Sequence, residues 1–216
     1  MNKKELLKRY ALFVLSLFFI GLGIGFAKHG DIGISPVSSV PYVMNLKFEF
    51  FSIGNWLTVS NCLFLLGQVL ILRKQFKLIQ LLQIPLSFLF GCFTDLGVWL
   101  VHFLPVSNYA VKLLYLAISI VIIAFGISLG VIANVLLNSP EAFVKAISDT
   151  TKKDFGSVKT IFDVCWVSLA IILSFAFTGK LVAVREGTIL TALLVGIVVK
   201  LFVPKFKEPL TNLLKK

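Results

Sequence analysis

Six apolar runs set the limits on what this chain can fold into: Tyr10–Ala27, Gly54–Leu72, Leu78–Leu104, Tyr109–Leu137, Val158–Phe177 and Gly187–Val203. About 20 helical residues cross the hydrocarbon core of a bilayer, and each run approaches or exceeds that length. No water reaches the backbone there, so a spanning segment must close its own hydrogen bonds, as a helix or a sealed barrel does. The strict alternation that a barrel strand needs is absent. A large soluble core is excluded by composition: 58% of the 216 residues are hydrophobic and 14% charged, whereas a soluble domain carries about a quarter charged residues. The expected fold is all-α, a polytopic membrane helical bundle of about six transmembrane helices forming one membrane domain over 1–216.

The 21 basic residues give an orientation. With both termini on the cytoplasmic side, Lys3, Lys4, Lys8, Arg9, Arg73, Lys74, Lys77, Lys145, Lys152, Lys153, Lys159, Lys200, Lys205, Lys207, Lys215 and Lys216 lie inside. Lys28, Lys47, Lys112, Lys180 and Arg185 lie outside. The positive-inside rule favours that topology, and a bacterial cytoplasmic (inner) membrane is the expected location. The net charge of +11 is spread along span ends rather than gathered with aromatics into one patch. Nucleic acid is thereby excluded as a partner, and anionic lipid headgroups suffice to explain the charge. The first run resembles a secretory signal ending at Gly25 and Ala27, but it exceeds the roughly 7–15 apolar residues of a signal core, and five further runs follow. Cys62, Cys92 and Cys165 all fall within runs and have no metal or disulfide spacing, so they read as buried small hydrophobes.

The two halves of the chain match weakly. Gly21-Leu-Gly-Ile-Gly25 precedes Ser35-Pro36, and Gly126-Ile-Ser-Leu-Gly130 precedes Ser139-Pro140. GNWLTVSN (54–61) lies over GSVKTIFD (156–163), pairing Thr58 with Thr160 and Asn61 with Asp163; Gly91 then pairs with Gly196 and Asp95 with Lys200. Three spans per half is an odd number, so residues 10–104 and 109–204 are expected to be inverted repeats with a binding site at their interface. A short polar helix, re-entrant or at the surface, is expected after the first helix of each repeat, with proline in its first turn and serine as cap.

GLGIGFAKHGDIGISPVSSVPYV, followed by NSPEAFVKAIS, FGSVKTIFDV and VREGTILTALLVG, resembles the YitT/YczE-like bacterial integral membrane proteins over about 10–204. In that family a glycine-rich first helix leads into an A-D-x-G-x-S-P-like turn; here Gly30 replaces the alanine and His29 precedes it. The resemblance implies a duplicated inner-membrane protein of transporter-like build and supplies no substrate.

Ionisable groups within spans mark candidate function. Asp163 is the sharpest, as a binding group or as a partner of Lys159 one turn earlier, and Asn61, Thr58 and Thr160 extend it across the repeat axis. Asp31, Ser35 and Ser139 belong to the polar turns, whose helix starts favour an anionic group. Arg185 and Glu186 sit at the mouth of the sixth run, Arg185 being an interfacial anchor, a partner of Asp31 or a binder of a substrate anion. The G-x-x-x-G spacings read as packing between the repeats. No metalloprotease, hydrolase or nucleotide-binding motif occurs, so the chain reads as no enzyme and as needing neither metal nor cofactor.

The expected function is that of a small secondary transporter or permease, moving a small polar or anionic solute. A membrane substrate-binding subunit of a multi-component importer, or a non-transporting interaction or assembly protein, are the alternatives. Expected partners are membrane lipids and a small-molecule or ion substrate, with a homo-oligomer left open.

Overall fold

Polar residues interrupt the apolar runs, and the helices begin on them. In a computed structural model, which describes residues 3–215, these are α1 (Lys3–Gly30), α2 (Pro36–Lys47), α3 (Ile53–Leu72), α4 (Gln83–Val101), α5 (Tyr109–Ala133), α6 (Ser139–Thr151), α7 (Phe155–Thr178) and α8 (Glu186–Lys215). Side chains of Ser52, Asn108 and Asp154 accept from the amides of Asn55, Val111 and Ser157, satisfying otherwise orphaned donors at the starts of α3, α5 and α7. Asn134 and Gly179 end α5 and α7 in the left-handed conformation. Six helical segments are long and apolar enough to cross a membrane; α2 and α6 are not.

Boundaries shift where polarity, rather than apolar length, decides. The third run begins as a 3-10 turn at Leu78–Leu82 and becomes α-helical at Gln83. The fourth stops at Ala133, four residues before the apolar run ends. The sixth continues past Val203 to Lys215 through Pro204 and Pro209, with Phe206 packed on Phe202 and Phe125.

The order long, short, long, long occurs twice, and neighbours recur with it. α1 packs on α5 and α4, and α5 packs on α8; α2 lies on α7 and α6 lies on α3. The result is a closed ring except at one joint. α3 packs along α4, whereas α7 and α8 share no comparable seam. Half of the α1 span and 56% of the α5 span are buried, against 11% for α7 and 17% for α8.

Small residues make the closed seams. A Cβ on Gly25 would stand 2.5 Å from the Gly97 carbonyl carbon on α4, and one on Gly91 would stand 2.5 Å from the Gly54 oxygen. On the other side of α1, Ser119 Oγ on α5 donates to Gly23 O at 2.8 Å, and Gly126 of α5 lies against the Ser16 backbone. The G-x-x-x-G of α1 thus packs within its own half, while Gly126 and Gly130 pack across the halves. Cys92 and Cys165 are exposed on outer helix surfaces and Cys62 is half-buried, a correction to their expected burial: small side chains are tolerated equally well on a lipid-compatible surface.

Buried amides reinforce the α3–α4 seam. Gln68 and Gln83, both under 5% exposed, exchange two hydrogen bonds of 3.1 Å. Gln68→Leu alone should lower stability in detergent by ~1–3 kcal/mol, since Gln83 is left unsatisfied, and Gln68→Leu with Gln83→Leu should recover most of it. A double variant as unstable as the sum of the singles would contradict the pairing. Gly25→Leu should likewise lower the unfolding midpoint, by at least ~1–3 kcal/mol of overpacking against backbone that cannot turn aside. Gly196→Ala, with nothing within 4 Å of its Cβ, should not.

Candidate functional site

The segment Asp31–Ile34 shows why a polar turn follows α1. Asp31 ends the helix at φ +51°, and Gly33 at φ +120° brings its backbone against Thr188, where a Cβ would lie 2.6 Å from the Thr188 nitrogen. Ile32 and Ile34 are fully buried, and Ile34 N–H donates to Ala183 O while Gly187 N–H donates to Ile32 O. The turn is therefore clamped to the α7–α8 connection, and α2 starts from its end, inside the protein. Pro41 has no N–H to give the Val37 carbonyl one turn back; the Trp166 indole of α7 donates there instead, at 3.0 Å.

Both short helices start on one cavity. It has a volume of about 520 Å³ and is lined by Ser35, Pro36 and Ser38 of the α2 start, by Asn138, Ser139, Pro140 and Glu141 of the α6 start, and by residues of α1, α3, α4, α5, α7 and α8. Along α1 it runs from Ile24 to Phe13, about 16 Å at 1.5 Å per residue, toward the face that holds the chain ends. Its wall is mostly apolar, with Leu17, Ile20, Phe90, Ile123 and Ile127 among its residues. A volume of this order suits a drug-sized ligand.

Five of the residues singled out by sequence line it: Ser35, Asn61, Ser139, Thr160 and Asp163. Asp163 is paired with Lys159, and Thr160 donates to Gly156 O at 2.9 Å just as Thr58 donates to Gly54 O at 2.9 Å. Thr58 also donates to Ser87 O, so it serves the α3–α4 seam and does not line the cavity. The α6 cap position is Asn138 rather than Ser139, and neither Ser35 nor Asn138 makes a side-chain capping bond. Ser35 Oγ instead meets Ser38 Oγ at 2.9 Å, and Ser139 Oγ meets Ser87 Oγ at 3.3 Å.

Asp31, Arg185 and Glu186 lie outside the cavity, on the opposite face. Arg185 donates to the backbone oxygen of Asp31 at 2.9 Å, Lys112 lies 4.0 Å from the Asp31 carboxylate, and Tyr109 donates to Glu186 at 3.0 Å. Asp95 caps α3, accepting from Ser52 Oγ and Gly54 N. Two cavity residues escaped the sequence reading. Glu141 reads as a polar residue of the α6 start but not as a site residue, and Thr191 is, with Thr188, one of two hydroxyls in its apolar run that nothing in the pattern separates from one bonded along its own helix.

The comparisons agree with a membrane protein. The chain is 25% identical over 206 residues to the uncharacterized membrane protein YczE of Bacillus subtilis (strain 168), covering 94% of this chain and 89% of that protein. It is 22% identical over 197 residues to the uncharacterized protein YyaS of the same organism, covering 91% and 92%. No solved structure matches the chain significantly. The resemblance carried by the glycine-rich first helix and the Ser-Pro turns is upheld at the level of a YczE-like membrane protein. The model for the family of unknown function DUF6198 matches residues 7–204, and the chain belongs to that family.

Proposed function

We propose that this membrane protein is a small secondary transporter of the bacterial cytoplasmic membrane, holding its solute between two inverted repeats with both termini in the cytoplasm. One observation carries the reading. The starts of two short helices from different halves of the chain meet on a single cavity enclosed by six helices of membrane-spanning length. Broken or short helices ending at a central site are how inverted-repeat transporters expose backbone polarity to a solute. The basic residues clustered at the face bearing the chain ends support the orientation.

The unequal joints supply a mechanism for alternation. Gly54 and Gly91 are in contact across α3 and α4, while their repeat mates Gly156 and Gly196 meet no part of the opposing helix. Exchange of the two arrangements, with α7 closing on α8 as α3 parts from α4, moves access from one side of the solute to the other. Gly156 and Gly196 leave the α7–α8 joint open space where Gly54 and Gly91 already meet across α3 and α4.

The test uses Gly156→Cys with Gly196→Cys in a chain whose Cys62, Cys92 and Cys165 are replaced by alanine. Reconstituted in liposomes and screened for counterflow with a panel of amines, organic acids and sugars, the reduced protein should carry at least one solute. Oxidation should form the cross-link, stop that flux, and be reversed by reductant. Absence of flux for every solute under ion gradients would sink the transporter reading, and solute binding without flux would favour the importer-subunit alternative.

A further inference from the structure

Among the described residues, two polar atoms lining the cavity are enclosed without a hydrogen-bond partner: Glu141 Oε2 in the first turn of α6 and Thr191 Oγ1 on α8. Thr191 is 2% exposed. Buried polar atoms are ordinarily satisfied, so two orphans in one cavity mark where a ligand's polar group belongs. The charges there are unequal. Glu141 and Asp163 are acidic and Lys159 is the basic residue of the lining, and Lys159 is committed to Asp163 in an i, i+4 pair. Among the described residues, Glu141 is left as a carboxylate without an ion-pair partner.

The charged lining leaves little for an anion. The partial positive charge of the α6 start is already met by the helix's own Glu141, and Arg185 lies on the opposite face. Only the α2 start, with no acid in its first turn, sets a helix dipole against the net negative charge of Glu141, Asp163 and Lys159. A carboxylate in a mostly apolar cavity, with no cation paired to it, is costly to keep charged and dehydrated, and either a proton or a bound cation removes that cost. The rest of the cavity is mostly apolar, and α7 and α8 share no seam comparable to that of α3 and α4.

We propose that the cavity binds a lipophilic monovalent cation, its charged head on the Glu141 carboxylate and its apolar body against α1, α4 and α5, in exchange for a proton on Glu141. Thr191 Oγ1 offers a further acceptor in the same cavity. Among the described residues, the charged groups facing Glu141 are Lys159 and Asp163 of α7. α3 and α4 present Asn61, Gln83 and Ser87; α8 presents Thr191; and α1 and α5 contribute no charged group to the lining. Lys145, one turn further along α6, is exposed and paired with Asp149. The substrate class rests on the transport reading only for passage across the membrane.

Tetraphenylphosphonium and tetraphenylborate have nearly the same shape and opposite charge, so together they separate charge from hydrophobicity. With the full chain in nanodiscs of neutral lipid, and binding counted above that of protein-free nanodiscs, whose interior dipole potential itself favours the anion, the phosphonium should bind and the borate should not. Phosphonium binding should weaken as pH falls, and binding in weak buffer should release protons. Glu141→Gln should weaken phosphonium binding by at least about tenfold and abolish its pH dependence, while Glu141→Asp should retain both in part. Preferential borate binding, equal binding of both ions, or pH-independent phosphonium binding by the wild-type chain would overturn the proposal, even if the glutamine variant fails to assemble. An unchanged affinity in a folded Glu141→Gln protein would overturn it equally. Phosphonium binding without flux in liposomes would leave this inference standing and count against the transporter reading; flux of another solute without phosphonium binding would do the reverse.

Discussion

Glycine and serine allow α1 to lie between α4 and α5 at near backbone contact, and the remaining helices are arranged around that double seam. Lipid tails are as apolar as leucine, so burying an apolar side chain gives little drive for helix association inside a bilayer; close backbone approach and a few interhelical hydrogen bonds must provide it. Gly21 and Gly25 supply the first against α4, and Ser119 donating to the Gly23 carbonyl supplies the second against α5. With α1 fixed at the centre, the segment Ile32–Ile34 that follows its exposed exit at Asp31 is held inside the molecule by the α7–α8 connection, and α2 has to begin there.

Beginning a helix inside an apolar bundle has consequences for the walls around it. The Pro41-freed carbonyl of Val37 accepts from Trp166, Gln68 and Gln83 satisfy each other, and the hydroxyls of Ser35 with Ser38 and of Ser87 with Ser139 pair beside the two helix starts. The polarity that remains unmatched, at Glu141 and Thr191, is gathered on the cavity. A bundle whose purpose was cohesion alone would gain by replacing those atoms with hydrocarbon.

Much of the fold is legible in the chain because bilayer length and apolar run length are directly related. The six spans, the two short helices after Ser-Pro and the matched order of the halves follow from runs, prolines and glycines read in sequence. Places where the reading fell short are places where a side chain's partner decides its role. Thr58 and Thr160 have the same spacing from a glycine, yet one seals a seam and the other faces the cavity because only α4 is close to its partner. Arg185 and Asp31 are adjacent in space, but the bond runs to the backbone oxygen. Glu141 and Thr191 gain meaning from what is missing around them, and sequence spacing carries no record of an absent partner.

Alternation between the two joints is the central claim, and distances across both report on it directly. Val59 and Phe88 face outward beside the α3–α4 joint, and Ile161 and Leu193, their counterparts in the other half, face outward beside α7–α8. Spin labels at each pair, measured by pulsed electron resonance in nanodiscs at several pH values, should give two populations at each joint, with the α7–α8 distance shortening under the conditions that lengthen the α3–α4 distance. A single unchanging distance at both joints under every condition would contradict it.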